Sequence, residues 1–358
     1  MYKKLFIPGP THVREEILQA QTAPMIGHRS KDYSDLQGEI RPKLQKLLYT
    51  EQPVFLFASS GTGLMEGSIR QAVRPGKRAL VTVCGAFSDR WYKIAVANGV
   101  PTDRVDVEWG QGITPELVDE ALNQGDYDAV TITFNETSTG VMNPLQEIAA
   151  LVNEKYPEVV ILVDAVSGMA GAKIEFDAWG LDVVLASTQK CFALPPGLAV
   201  APVSERMLER AAQVPNRGYY FDFLNMLKYY QKDQTPATPA ISLIQALNRQ
   251  LDDILAEGLE NRWARHLEMA ETVRAWARKY WALFPDERFL SNTVTTVKNT
   301  RGISVADLNR ALGERGAMIS NGYGKQLKEK TFRIAHMGDL TMADITWLLG
   351  LINDILGL

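Results

Sequence analysis

The sequence predicts an α/β protein with a largely parallel sheet covered by helices on both faces, followed by a smaller α+β unit. Three observations predict it. Short, nearly continuous apolar runs rich in Val, Ile and Ala recur between residues 54 and 201. Helical patterns separate them. After Ala201 this alternation gives way to long helical stretches and isolated strands.

The apolar runs are Val54 to Ala58, Ala79 to Val83, Ala129 to Phe134, Val159 to Val163, Val183 to Ala186 and Leu198 to Ala201. Strands buried on both faces read this way, without polar alternation. Between them, Gly63 to Val73, Trp91 to Asn98, Pro115 to Asn123 and Leu145 to Lys155 carry helical patterns. Ser204 to Lys232 reads as mostly helical, and DQTPATPA, Asp233 to Ala240, as a polar segment broken by proline. A long helical pattern runs from Ser242 to about Phe284, interrupted near Gly258. A strand at Val294 to Val297, a helix at Ser304 to Arg315, a strand at Phe332 to Ala335 and a helix at Met342 to Leu356 close the chain. A length of 358 residues suits about two domains. We expect an N-terminal arm over 1–16, a large domain over 17–258 and a small C-terminal domain over 259–358.

Composition excludes several function classes. The net charge of −4 argues against a nucleic-acid binder that works by neutralising phosphates. Cys84 and Cys191 are the two cysteines; neither sits in a CxxC pair, so they offer neither a disulfide framework nor a zinc site. The histidines, His12, His28, His266 and His336, show no metal-site spacing. His266 lies in a helical stretch and reads as surface or partly buried, and His336 as a residue bordering whatever site Arg333 serves. No stretch approaches the ~18 apolar residues of a membrane helix, and the apolar run Leu5 to Ile7 is too short for a secretory leader. A cytoplasmic protein is expected.

Ligands of open parallel sheets sit at the carboxyl ends of the strands. Three features fall there. SSGTG, Ser59 to Gly63, follows the first strand and opens a helix, which presents free backbone N–H groups to an anion such as phosphate. Asp164 ends the strand Val159 to Val163. Lys190, in STQK, follows the strand Val183 to Ala186 and continues into apolar CFALPPG. A lysine in apolar surroundings loses its proton readily and becomes a nucleophile for carbonyls. Each feature alone has an ordinary reading as a capped turn, a loop acid or a surface lysine. In this order on one sheet they match what pyridoxal 5′-phosphate needs: donors for its phosphate, a carboxylate for its ring nitrogen and an amine for its aldehyde.

The chain resembles the class V aminotransferases of the fold-type I pyridoxal-phosphate enzymes, in the alanine–glyoxylate and serine–glyoxylate (serine–pyruvate) branch. The resemblance rests on PGPT (Pro8 to Thr11), GHRS (Gly27 to Ser30), SSGTG, NETSTGV (Asn135 to Val141) and VDAVSG (Val163 to Gly168). It continues through STQKCFALPPG (Ser187 to Gly197), TPATPAISL (Thr235 to Leu243) and FRIAHMG (Phe332 to Gly338). Chains named as the small subunit of a soluble hydrogenase carry the same pattern. The fold implied is a large cofactor domain with a mostly parallel seven-stranded sheet and a smaller C-terminal α+β domain.

The resemblance implies roles at matching positions. Lys190 would be the Schiff-base lysine and proton carrier, and Asp164 the partner of the pyridinium nitrogen. Ser60, Gly61 and Thr62 would hold the phosphate, with Ser187 and Gln189 nearby. Phe87 and Val166 would lie against opposite faces of the ring, and Thr137 would hydrogen-bond its phenolic oxygen. Arg333 would bind the substrate α-carboxylate through its planar fork, with Gly9 and His28 lining the substrate space. A homodimer is implied, with Thr235 and Thr238 reaching the partner subunit's phosphate, and His28 and Arg29 entering the site of the other subunit.

An aminotransferase of this branch moves an amino group from alanine or serine to glyoxylate or pyruvate by a ping-pong cycle. Arg29 and Arg217 leave an aspartate-type donor open. A cysteine desulfurase or β-lyase is an alternative, weakened because no cysteine lies between Phe192 and Leu358, where a desulfurase needs one. A non-catalytic hydrogenase subunit is a third reading, weakened by the absence of any Cys/His cluster and by the joint presence of Lys190, Asp164 and Arg333.

Overall fold

The computed structural model describes residues 3–358. The chain opens with β1 (Lys4–Phe6), α1 (Glu15–Ala20) and α2 (Lys31–Leu48). An alternation follows: β2 (Val54–Phe57), α3 (Gly61–Ala72), β3 (Arg78–Val83), α4 (Ala86–Ala97), β4 (Thr102–Asp106), α5 (Pro115–Leu122) and β5 (Tyr127–Thr133). A small ribbon, β6 (Asn135–Glu136) and β7 (Val141–Met142), precedes α6 (Leu145–Lys155), β8 (Val160–Asp164), β9 (Val183–Ser187) and β10 (Ala199–Pro202). Four helices come next: α7 (Glu205–Ala212), α8 (Phe223–Tyr230), α9 (Ile241–Glu257) and α10 (Leu259–Tyr280). The last elements are β11 (Ala282–Leu283), β12 (Val294–Lys298), α11 (Val305–Glu314), β13 (Ala317–Asn321), α12 (Gly324–Leu327), β14 (Thr331–Ala335) and α13 (Met342–Leu356).

Seven strands form the main sheet in the order β2-β10-β9-β8-β5-β3-β4. Strand β10 runs antiparallel to both neighbours, and the other pairings are parallel. The expected α/β architecture is therefore present. Successive residues of β8 enter different cores: Ile161 and Val163 pack in one apolar cluster, Val160 and Leu162 in another. Alternate side chains point to opposite faces of a strand. Both faces are covered, which is why these runs lack polar alternation.

Sequence reading misses β4. Its residues, TDRVD, are mostly charged and partly exposed because the strand lies at the sheet edge. Charge on an edge strand discourages further pairing. Ser204 to Lys232 holds two helices, α7 and α8, separated by irregular chain over 213–222, which contains Pro215 and Gly218. The break between the two long helices falls at Gly258, whose φ of +85° suits glycine.

A second, five-stranded sheet has the order β1-β13-β14-β12-β11. Its helices enclose a third apolar cluster that includes Trp276, Trp281, Phe332 and Leu348. Phe6 belongs to this cluster, and β1 pairs in parallel with β13, so the N-terminal segment is built into the C-terminal unit. Strand β13 also escapes sequence reading, since AMISN is short and half polar. Arg14 ties the N-terminal segment further, donating to Asp339 at 2.6 Å and Asp253 at 2.7 Å.

Candidate active site

Strands β2, β8 and β9 run in one direction, so Ser59 to Gly63, Asp164 and Ser187 meet at one edge of the sheet. Helix α3 begins at Gly61, and the Ser60 side chain makes no capping hydrogen bond. First-turn N–H groups of such a helix have no intrahelical partners and favour an anion. Gly61 is required for close packing: a Cβ there would lie 2.5 Å from Cγ2 of Val166 and 3.5 Å from Oγ of Ser187. Ser187 Oγ and Gln189 Oε1 are buried and have no hydrogen-bond partner among the described residues. Buried polar atoms are ordinarily satisfied, so these two are free to bond a ligand. Thr62 Oγ1 accepts from Arg90 at 3.3 Å.

Asp164 closes β8 and is 3% exposed, and its Oδ1 accepts from the Val166 N–H at 2.9 Å. Burial pushes its carboxyl up to about 7. A cation placed against it would reverse that rise. Lys190 Nζ donates to the Pro8 carbonyl. Burial, with the charge of Arg333 adding to it, lowers the Lys190 ammonium to about 8. Gly9, with φ +125°, has no space for a side chain: a Cβ would stand 2.7 Å from Lys190 Cε. Thr11 fixes the lysine's backbone, its N–H donating to the Gln189 carbonyl at 3.0 Å and its hydroxyl to the Lys190 carbonyl at 2.9 Å. PGPT is thus the segment that seats the lysine.

Arg333 comes from β14 and is 7% exposed. Its Nε and Nη2 donate to the Asn321 carbonyl at 3.2 and 3.1 Å, and its Nη1 donates to the Thr137 carbonyl at 3.1 Å. No carboxylate lies within ion-pair distance of it among the described residues, and burial lowers its guanidinium to about 10. A buried cation whose hydrogen bonds all go to neutral carbonyls is suited to receive an anionic ligand. Thr137 is itself buried, with its hydroxyl 2.5 Å from that of Ser167.

Phe87 stands in the first turn of α4, and its N–H meets a residue that sequence reading passed over. Glu136 is fully buried, and its carboxylate accepts from the N–H groups of Phe87 (3.1 Å) and Ser88 (2.9 Å) and from the hydroxyl of Ser138 (2.6 Å). It thereby caps α4 and fixes the backbone that carries the aromatic ring. The one signal for it was an acid immediately before Thr137 in the NETSTG segment. Tyr323, Arg90 and Asn321 were also missed; Tyr323 lies 4.9 Å from Phe87, centroid to centroid, and receives a hydrogen bond from Arg90.

Thr235 and Thr238 line a cavity with Ala58, just before the Ser59 to Gly63 turn. Thr235 donates its hydroxyl to the Ala237 carbonyl at 2.8 Å, and Thr238 is exposed. Arg29 donates to the carbonyls of Thr235 (2.6 Å) and Pro236 (3.0 Å), so the GHRS and TPATP segments form one surface within the chain. Arg217 is paired with Asp222 at 3.3 Å. His266 corrects its expectation: it is fully buried, accepting from the Gly338 N–H at 3.1 Å. His336 is buried between Thr295, 2.9 Å away, and the Asn292 carbonyl. Burial lowers both imidazoles, and His336 falls to about 3, so each is a neutral structural residue.

The family model for aminotransferase class-V matches residues 12–338. A protein of Methanocaldococcus jannaschii named as an uncharacterized aminotransferase is 41% identical over 94% of this chain and 88% of its own. The L-aspartate–glyoxylate aminotransferase of Paracoccus denitrificans is 34% identical over 95% and 87%. A soluble hydrogenase 42 kDa subunit of Anabaena cylindrica is 35% identical over 95% and 90%. Among solved structures, the alanine–glyoxylate aminotransferase of a Nostoc species superposes with a TM-score of 0.92, at 28% identity and 99% and 96% coverage. The chain belongs to the aminotransferase class-V family.

Proposed function

We propose that this chain holds pyridoxal 5′-phosphate at the strand-end cluster and transfers an amino group from a small amino acid, alanine or serine, to glyoxylate or pyruvate. The observation that carries the substrate half is Arg333, a buried guanidinium without a carboxylate partner near a lysine whose proton is loosely held.

The residues present fit the cofactor. Ser60, Gly61 and Thr62 offer an uncapped helix start, and Ser187 and Gln189 bring buried polar atoms that lack partners. Asp164 is a buried carboxylate awaiting a cation, the role a pyridinium nitrogen would fill. Val166 and Phe87 supply apolar surfaces for the two ring faces, and the Thr137 hydroxyl would bond the ring oxygen. When bound, the cofactor withdraws electrons from the donor's Cα–H bond. Lys190 would take the donor's Cα proton and hold it for return, a task suited to an amine with a value of about 8. Arg333 would bind the α-carboxylate bidentately and so orient the donor. Asp164 would hold the proton on the ring nitrogen.

The site is completed by a second copy of the chain in this reading. Support comes from the surface shared by Arg29, Thr235 and Pro236 and from the exposed rings of Tyr219 and Tyr220 beside it. Cytoplasmic residence fits two unpaired cysteines, and no helix of the described residues is long and apolar enough to cross a membrane. Both thiols are buried and pushed up to about 12 by burial, which opposes desulfurase chemistry. Lys190, Asp164 and Arg333 meeting in one buried site favours catalysis over a scaffold role in a larger assembly.

The name of the Paracoccus relative favours a second donor, aspartate. A donor screen separates the two. Holoenzyme is mixed with each amino acid, and conversion of the cofactor to its amine form is followed by absorbance. Alanine and serine reacting fastest supports the first reading; aspartate reacting fastest replaces it with the second.

A further inference from the structure

Tyr323 is held in the site more firmly than its loop position suggests. It sits in NGYGK, on the turn between β13 and α12, flanked by Gly322 and Gly324. Both glycines are demanded by the backbone. A Cβ on Gly322 would approach the Leu327 carbonyl oxygen to 2.0 Å, and Gly324 has φ +64°. The loop is registered to the substrate arginine, because Asn321 pairs with Phe332 across the two strands and its carbonyl accepts from two Arg333 donors.

The tyrosine side chain is held from three directions. Arg333 Cζ lies 5.4 Å from its ring centroid. The Phe87 ring packs on it at 4.9 Å with planes tilted by 44°. Arg90 Nη2 donates to its hydroxyl at 2.9 Å. Arg90 in turn stacks on Phe87 at 4.8 Å and donates to Thr62 Oγ1. The ring thus spans from the residue proposed to face the cofactor to the residue proposed to take the donor's carboxylate. The two elements it joins, α4 and the turn before α12, belong to different sheets' surroundings, so only tertiary folding brings them together.

We propose that Tyr323 sets the donor's side-chain length: its ring closes the space between Phe87 and Arg333, so short side chains fit and long ones collide with it. This rests on the aminotransferase reading above. The hydroxyl's bond to Arg90 fixes the ring in place, and the ring's bulk does the selecting. Tyr323→Phe therefore retains the selection, and Tyr323→Ala removes it.

The test compares alanine and norvaline, which differ by two methylenes, as donors to the holoenzyme in single-turnover half-reactions. Each methylene in a shaped apolar space is worth about tenfold or more. The wild type should prefer alanine, Tyr323→Ala should shift the ratio toward norvaline by about 10-fold or more, and Tyr323→Phe should stay within about 3-fold of wild type. Calorimetry of propionate and pentanoate binding to the same holoenzymes should show the same shift without turnover. Melting temperatures and cofactor absorbance verify that the variants are folded and loaded. An unchanged norvaline-to-alanine ratio in Tyr323→Ala, with both donors slowed alike, overturns the selection role and leaves the aminotransferase reading standing. A wild type that reacts with no amino acid overturns both.

Discussion

A Cβ built on Gly61 would stand 2.5 Å from Cγ2 of Val166, so the turn that opens α3 rests directly on the residue two positions beyond Asp164. The proposed phosphate cradle and the proposed floor of the ring are therefore one packed unit. A substitution at Gly61 therefore tests the proposed cradle at the start of α3. Overpacking of this kind costs about 1–3 kcal/mol. We expect Gly61→Ala to fold, by circular dichroism, and to bind pyridoxal phosphate at least about tenfold more weakly in a fluorescence titration. Unchanged affinity would remove the cradle from cofactor binding.

Arg333 offers the clearest separation of substrate binding from cofactor binding. Two charge-assisted hydrogen bonds to a carboxylate are worth about 3 kcal/mol together, or roughly 100-fold in affinity. Arg333→Met should weaken every amino-acid donor and oxo-acid acceptor by about that factor while the visible absorbance of the bound cofactor persists. A donor affinity equal to that of the wild type would place the carboxylate elsewhere.

The lowered Lys190 value predicts a pH signature. The neutral amine attacks the cofactor's aldehyde, and its fraction rises about tenfold per pH unit until its pKa is passed. With a value of about 8, the rate of cofactor attachment to the apoprotein should climb up to that pH and then level. Stopped-flow absorbance measures it. A rate still climbing at pH values near those of ordinary lysines would mean that burial leaves the ammonium unperturbed.

Asp164 predicts a stability effect in the apoprotein. Its carboxyl lies at about 7 in the folded protein, above the ordinary 3.8. A group raised in this way stabilises the fold fully below its unfolded value, and that contribution is lost as pH rises through the folded value. Asp164→Asn has no charge to bury. Its apoprotein should therefore grow more stable relative to wild type as pH rises from about 5 to about 7, by on the order of 1 kcal/mol for each pH unit, and the gap should then level. Denaturant unfolding at a series of pH values measures it. Parallel curves for the two proteins would contradict the buried-carboxylate account.

The legible parts of the molecule are those where one strand or one short motif carries the information. Asp164 stands out as a charged residue ending an apolar strand and Lys190 as one in the apolar stretch just after another, and the central strands stand out because both faces are buried. Edge strand β4 does not, since its TDRVD residues meet water, and β13 is too short and polar to separate from a turn. Glu136, Arg90 and Tyr323 were hidden for a different reason. Each acts through residues far along the chain, such as Arg90 on Tyr323, and no spacing in the sequence records that meeting. Thr235 and Thr238 show the opposite case: the motif is visible in the sequence, and within the chain its TPATP segment is joined to Arg29.

The central claim is that Lys190 is the residue to which pyridoxal phosphate becomes attached. Borohydride reduction of the holoenzyme fixes the cofactor to its lysine, and digestion with mass spectrometry locates it. The account predicts a single modified peptide, spanning Lys190, that disappears when the cofactor is removed beforehand and in Lys190→Ala. Modification at another lysine, or no modified peptide in a protein saturated with pyridoxal phosphate, would contradict it.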